Sequence, residues 1–368
     1  LQGNLADFYF HPTVKNSKKN SNLRRTYQAR LRHPEDVEPP LVFCRSPQQP
    51  TNFNQKVIPM SINTTPATAF DRPCISDEEA QFFLANGYLI LRQVIAPAEL
   101  AQLRAAADTL LAGGAGVNAN PDFVYGTGHS SGQPVLRRIE YVIDKTEPNK
   151  VLLGHPFILR SVEKLMGPDL IPTWDSMVIK MAGEGIIVPW HRDAGLEEAG
   201  DQPIFNVDFY LDAAELDTCL WVYPGSHLWP QDQVDRIIQA PGFSTEGAIP
   251  VPMQPGDVIL HNIHVLHGSP ASSGGKLRRV VYYEFRTAHV EAELGPHTPQ
   301  YIPLKQQLLL AAIARRTQAP YIAANEVPFH YDPPEPWAVA SQAPSAAPTT
   351  WRYAHENYWR KSDPQWFS

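Results

Sequence analysis

From Thr173 onward the chain is cut into short apolar runs, each about the length of a strand: 174–181, 186–193, 204–211, 219–223, 248–253, 257–263 and 278–286. Gly, Pro and Asp turns separate them. Runs this short leave little room for helices of ordinary length, and many of them in series imply a β-barrel or jelly roll. The stretch before them reads differently. Ser76-Asp-Glu-Glu79 ahead of Phe82-Phe83-Leu84 is a capping box that opens a helix, and Gly87 stops it. Tyr88 to Leu91 reads as a buried strand. Pro97 opens a second helix, with Leu100, Leu103, Ala107, Leu110 and Leu111 on one face, ended by Gly113-Gly114. Residues 115–134 read as a Gly/Asn/Ser/Pro loop, and helical patterns return near 148–166. The expected fold is mainly β, with N-terminal helices packed outside.

Composition narrows the class. At 368 residues with 43% apolar content, a large core is possible, and no run approaches 18 consecutive apolar residues. No apolar segment near the start resembles a secretory signal. Cys44, Cys74 and Cys219 are an odd set without CxxC spacing, which argues against disulfides and zinc-thiolate sites and suits a reducing, cytoplasmic setting. The net charge of −7 is uneven. Nine of the 31 Lys/Arg but only four of the 38 Asp/Glu fall in residues 1–59, leaving the body 22 basic and 34 acidic side chains. That body has no basic field for nucleic acid. Segment 1–59 lacks periodicity and is expected to be disordered, or an upstream extension with Met60 as the true start. Residues 60–318 form the expected domain. The Pro/Trp-rich tail 319–368 is expected to wrap over the core or a partner subunit, since so many aromatics argue against plain disorder.

Within the strand-rich half stands His191-Arg192-Asp193, and His267-Gly-Ser269 begins 74 residues after Asp193. Two histidines and a carboxylate can hold one face of an octahedral Fe(II) and leave the other positions open. On an extended strand, residues i and i+2 share a side, so His191 and Asp193 could reach one metal, with His267 the candidate third ligand. His261 and His264 compete with His267. In an alternating strand His264 would face away, and both read as pocket-lining or packed residues. His227, after a Pro-Gly-Ser turn, reads as a turn-stabilising hydrogen bonder. His129, Arg137, Arg138 and Glu140 read first as exposed or paired charges. Asp208 sits on the apolar run Phe205 to Leu211, where a buried charge needs a partner. Trp190 and Trp221 read as core.

These pieces, in order, resemble the phytanoyl-CoA dioxygenase (PhyH) family of Fe(II)/2-oxoglutarate oxygenases from about Ile75 to Ala288. Ser76 to Leu91 looks like the family's opening helix and strand. Leu165-Met-Gly-Pro168 and Met177-Val-Ile-Lys180 look like the run up to its site. Trp190-His-Arg-Asp193, Cys219-Leu-Trp-Val-Tyr-Pro-Gly-Ser-His227 and Pro255-Gly-Asp257 through His267-Gly-Ser269 look like its metal motif, turn and distal-histidine segment. The resemblance implies a double-stranded β-helix, an Fe(II) held by His191, Asp193 and His267, and 2-oxoglutarate with O2 as cosubstrates. It implies that Arg278, assisted by Ser269, grips the distal carboxylate of 2-oxoglutarate. Strand alternation alone does not choose between Arg278 and Arg279; the family spacing does. Lys180 and Met177 are possible further contacts. Arg192 and Thr218 depart from the residues most often found at their positions, which bears on substrate contacts. An intact carboxylate at Asp193 implies hydroxylation or a related oxidation, not halogenation. The expected substrate is a small molecule, specified by loops such as 113–135; neither its identity nor an oligomeric state is encoded legibly. The acidic body weakly disfavours a CoA thioester. The rival readings are a metal-dependent hydrolase or a dioxygenase without 2-oxoglutarate, and a non-catalytic cupin-like metal-binding protein.

Overall fold

The computed structural model describes residues 72–193, 202 and 204–338. All seven expected runs contain strands. β1 (Tyr88–Leu91), β2 (Phe123–Thr127), β3 (Pro134–Glu140), β4 (Leu170–Lys180), β6 (Phe205–Tyr210), β9 (Val258–Asn262) and β11 (Arg278–Thr287) form one sheet, in the order β1-β9-β6-β11-β4-β3-β2. β5 (Val188–His191), β7 (Leu220–Val222), β8 (Ile249–Val251) and β10 (His267–Ser269) form a second, in the order β5-β10-β7-β8. All pairings are antiparallel. From β4 to β11 the chain passes back and forth between the two sheets, with β7 and β8 consecutive in the small one, as in a double-stranded β-helix.

Alternation along the strands explains what each face meets. On β6, Phe205, Val207 and Phe209 enter the main core; on β11, Val281, Tyr283 and Phe285 do the same. That core is closed by Phe83 of α1 (Asp77–Asn86), Leu100 and Leu103 of α2 (Pro97–Gly113), and Phe157 and Val162 of the helix Pro156–Met166. Each such side chain contributes roughly 1.5–3 kcal/mol by burial. The opposite face of the large sheet looks at the small one. There Tyr88, Tyr210, Ile259 and Val280 pack with Leu220, Val222 and Val251.

The capping box is present as read: Ser76 accepts from Glu79 N–H, and the Glu79 carboxylate accepts from Ser76 N–H. Gly87 closes α1 at φ 77°, and a Cβ there would lie 2.5 Å from the His227 ring, so only glycine fits.

Several expectations need correction. The 115–134 loop contains strand β2, whose pairing with β3 extends the large sheet past β4. An edge strand needs little apolar alternation, and β2 carries none. The helical patterns expected near 148–166 are present as two helices, α4 (Glu147–Leu153) and α5 (Pro156–Met166), preceded by the single turn α3 (Val142–Lys145); Pro156 cannot continue α4 and instead starts α5. After α6 (Gln231–Ile238) and α7 (Ala288–Glu293), an unforeseen helix α8 (Tyr301–Arg316) joins the outer layer through Leu309 and Ile313. Beyond it, Phe329 and Tyr331 lie in the main core, and Tyr331 Oη donates to Leu170 O at 2.8 Å. Segment 1–59, Cys44, and the aromatics Trp351, Trp359, Trp366 and Phe367 lie outside the described residues. Among the described residues no helix is long and apolar enough to cross a membrane.

Candidate active site

The small sheet brings the separated motifs together. His267 on β10 lies between β5 and β7, paired with His191 on one side and Val222 on the other. Gly268 makes the approach possible, since a Cβ there would come within 2.9 Å of Val188 O and 2.8 Å of Phe243. Asp193 is not on the strand as the i, i+2 argument supposed. β5 ends at His191, because β10 offers no further pairing, and the chain turns to the large sheet. There Asp193 N–H donates to Ile263 O at 2.8 Å. The carboxylate still reaches the histidines. Donor atoms of His191, Asp193 and His267 all lie within 4.8 Å of one another, the one such cluster among the described residues.

Each histidine is fixed by its own backbone. Nδ1–H of His191 donates to Pro189 O at 2.8 Å, and Nδ1–H of His267 to Val265 O at 2.9 Å. Both Nε2 lone pairs are thereby aimed inward, at 3.4 and 3.7 Å from Asp193 Oδ1. The other carboxylate oxygen, Oδ2, accepts from Asn206 Nδ2 at 2.8 Å. Burial, and after it the nearby His191, push His267 down to about 3, so it is a neutral donor at physiological pH. Burial alone would raise the Asp193 carboxyl; His267, His191 and His261 reverse that and hold it below the usual carboxylate range. This donor set fits a divalent iron: two imidazoles, each with Nδ1–H held by a backbone carbonyl, and one carboxylate.

Farther along the interior face lies a second cluster. Arg278 and Lys180 are directly paired across β11 and β4, and both are buried. Arg278 has no carboxylate partner among the described residues, and its Nε has no hydrogen-bond acceptor. Lys180 Nζ donates to the carbonyls of Ile186, at 3.0 Å, and Pro270. Burial, and then the charge of Arg278, push Lys180 down to about 6. Arg279 faces the opposite way, engaged with Asp212 at 2.8 Å and with Asp108 at its rim. Geometry therefore separates the two arginines where sequence alternation did not. Ser269 is buried, its hydroxyl donating to Thr218 O at 3.2 Å. Met177 points into the main core, away from this pocket.

The remaining residues sort plainly. His261 is interior, its Nε2 3.3 Å from Asp208 Oδ2 and its Nδ1 3.8 Å from Asp193 Oδ2. Burial works against a charge on His261, but Asp208 and then Asp193 hold it up at about 9. His264 is not on a strand at all; it sits in the turn between β9 and β10. His227 ties its turn to α1 through Leu84 O at 3.1 Å. Arg192 clasps the same turn, donating to Ser226 O at 2.6 Å and Trp229 O at 3.0 Å, so its departure from the usual residue concerns scaffolding more than substrate. Trp190 is core, stacked on Phe243 at 4.7 Å, and Trp221 is half-buried. His129 is exposed. Asn206 was missed by sequence reasoning. An amide facing the interior of an apolar strand, two residues before Asp208, was the available signal.

The sequence profile described as phytanoyl-CoA dioxygenase (PhyH) matches residues 83–280, just over half the chain. The chain belongs to the phytanoyl-CoA dioxygenase family. This PhyH-family chain is also 25% identical over 221 residues to "Dioxygenase lolE1" of Epichloe uncinata, covering 59% of the chain and 84% of that protein. Among solved structures, EvdMO1 is similar at 27% identity and a TM-score of 0.49; 57% of the chain aligns, and it spans only about half (49%) of EvdMO1. AviO1 from Streptomyces viridochromogenes Tue57 is similar at 28% identity and a TM-score of 0.49, over 57% of the chain and 93% of AviO1. Family and donor set together make this a 2-oxoglutarate oxygenase that takes iron and 2-oxoglutarate.

Proposed function

We propose that the protein is a hydroxylase, or catalyses a closely related oxidation such as desaturation, acting on a C–H bond of a small molecule. His191, Asp193 and His267 would hold Fe(II), and Arg278 with Lys180 would receive the distal carboxylate of 2-oxoglutarate. When bound, the iron, 2-oxoglutarate and O2 supply the oxidising chemistry, with succinate and CO2 released and one oxygen atom passed to the substrate. The chain's own residues do the rest. Backbone carbonyls at 189 and 265 keep both imidazoles in one tautomer. Asn206 turns the Asp193 carboxylate so that Oδ1 faces the two rings. Ser269 closes the pocket wall beside Thr218.

The observation that carries this reading is the pairing of a His-Asp-His triad with the buried guanidinium of Arg278, which has no carboxylate partner among the described residues and lies beside the buried amine of Lys180. Such a cation is costly unless an anion completes it. A guanidinium matches a carboxylate bidentately. A hydrolase or a non-catalytic metal-binding protein would leave that guanidinium without a role. The carboxylate at 193 favours hydroxylation over halogenation, because it fills the position a halide would need. Succinate formation with Fe(II), ascorbate and a metabolite extract tests the proposal, with mass spectrometry for a +16 product. Asp193→Ala should abolish turnover and weaken metal binding. An active Asp193→Ala variant with unchanged iron content would refute the ligand assignment.

A further inference from the structure

The small sheet covers only part of the large one. Its apolar contacts fall on β1, β9, β6 and the start of β11, through Tyr88, Ile259, Tyr210 and Val280. Beyond that edge, interior-facing side chains of central strands are only partly buried: Tyr282 and Glu284 on β11, Trp174 and Val178 on β4, Arg138 on β3. Their alternate neighbours, Val281, Tyr283, Met177 and Ile139, are buried beneath the helices. A partly exposed tryptophan on an inner strand of a seven-stranded sheet, on the face turned toward the small sheet, marks a cleft rather than an outer surface.

The cleft leads to the triad. Asn206, bonded to Asp193, is paired across strands with Glu284, and Glu284 with Trp174. At a strand spacing of about 4.8 Å, Trp174 stands roughly 10 Å from Asn206. Its indole is held by Nε1–H donating to Glu140 Oε2 at 3.2 Å. Tyr141 lies against it, ring centroids 5.6 Å apart, on a left-handed backbone at φ 54°. A tyrosine held in that left-handed conformation is strained and marks a corner that the surroundings enforce.

Around the rings, the nearby acids are matched by bases. Glu140 pairs with Arg138 at 2.7 Å, and Glu284 with Arg286 while accepting from Thr173 Oγ1 at 2.5 Å. Asp208 pairs with His261, and its Oδ1 is buried without an acceptor role filled; Ser176 Oγ, cross-strand from Tyr282, is likewise buried and unpartnered. Charge-balanced donors and acceptors about an aromatic face suit a ligand whose groups both donate and accept, that is, hydroxyls. Among the described residues these acids are each met by a base, so they offer no unmatched charge for a net cation.

Resting on the oxygenase reading, we propose that Trp174 and Tyr141 form the substrate subsite, and that it takes a neutral, ring-shaped, hydroxyl-bearing molecule stacked on Trp174. The test uses the full chain loaded with Co(II) and 2-oxoglutarate under nitrogen. Ligand-observed NMR then follows three probes: methyl β-D-glucopyranoside, benzyltrimethylammonium and palmitoyl-CoA. The glycoside should bind. Its affinity should fall about tenfold in Trp174→Leu and recover in Trp174→Phe, as expected of a stacking contact. Affinity for Co(II) and 2-oxoglutarate should be the same in all three proteins. Failure of the glycoside to bind, preference for either other probe, or equal binding by Trp174→Leu each overturns the subsite. Failure of the wild type to bind Co(II) and 2-oxoglutarate at all would instead overturn the oxygenase reading beneath it.

Discussion

Replacing Arg278 with Met should separate cosubstrate binding from folding, and the two effects should have opposite signs. In the wild type this guanidinium is only 4% exposed, lacks a carboxylate partner among the described residues, and is paired across strands with buried Lys180. Removing one member of a buried, hydrogen-bonded charge pair costs about 2–5 kcal/mol of binding. Taking roughly 3 kcal/mol, the affinity for 2-oxoglutarate should fall about 150-fold at 1.4 kcal/mol per decade. The stability of the ligand-free protein should not fall. Met keeps most of the apolar stem, and its neutral end relieves Lys180 of a neighbouring charge. Thermal unfolding with and without 2-oxoglutarate reads both quantities. The wild type should gain stability as the ligand saturates it, and the variant should begin equal or higher but gain little over the same range. If the variant instead unfolds several degrees lower while its KM for 2-oxoglutarate is unchanged, Arg278 is a structural residue and the cosubstrate pocket has been misplaced.

The other predictions address the neighbours of that site and the frame around it. Lys180 is depressed from its usual 10.5 to about 6, so between those values the unfolded chain binds a proton that the folded one does not; stability therefore rises with pH across that window and is lost as pH falls toward 6. Lys180→Met should flatten this slope between pH 6 and 9 in urea titrations, and an unaltered slope would show that Lys180 is charged in the fold. Asn206→Ala should weaken Co(II) binding about 10–100-fold and change its visible spectrum, with little change in unfolding temperature; unchanged affinity would mean that Asp193 needs no orienting partner. Arg316 joins α8 to Glu99 of α2, at 2.6 and 3.1 Å, and to Glu326, at 2.7 and 2.9 Å. Arg316→Met strands the buried Glu99 carboxylate and should cost about 3–5 kcal/mol in chemical denaturation, most of it recovered in the Glu99→Leu, Arg316→Met double variant.

How far the sequence reached depended on how local each determinant is. The seven strand runs were legible because alternation and turn residues are properties of neighbouring positions. β2 was not, because Phe123-Val-Tyr-Gly-Thr127 shows no alternation and, as an edge strand, draws its pairing from β3, not from a pattern of its own. α8 was passed over because its apolar positions are shared between α4, β4 and the C-terminal segment and form no single stripe. Asp193 is the instructive case. Its carboxylate reaches the two histidines, but not by the expected route: the strand ends at His191, and the carboxylate is delivered by a crossing to the large sheet, where Ile263 O and Asn206 fix it. A spacing of two residues suits both geometries, so the motif alone does not distinguish them. Their consequences differ. A carboxylate on the strand would owe its orientation to β5 alone. One held between the sheets depends on Asn206, whose Cα is paired with Glu284 at the head of the open cleft.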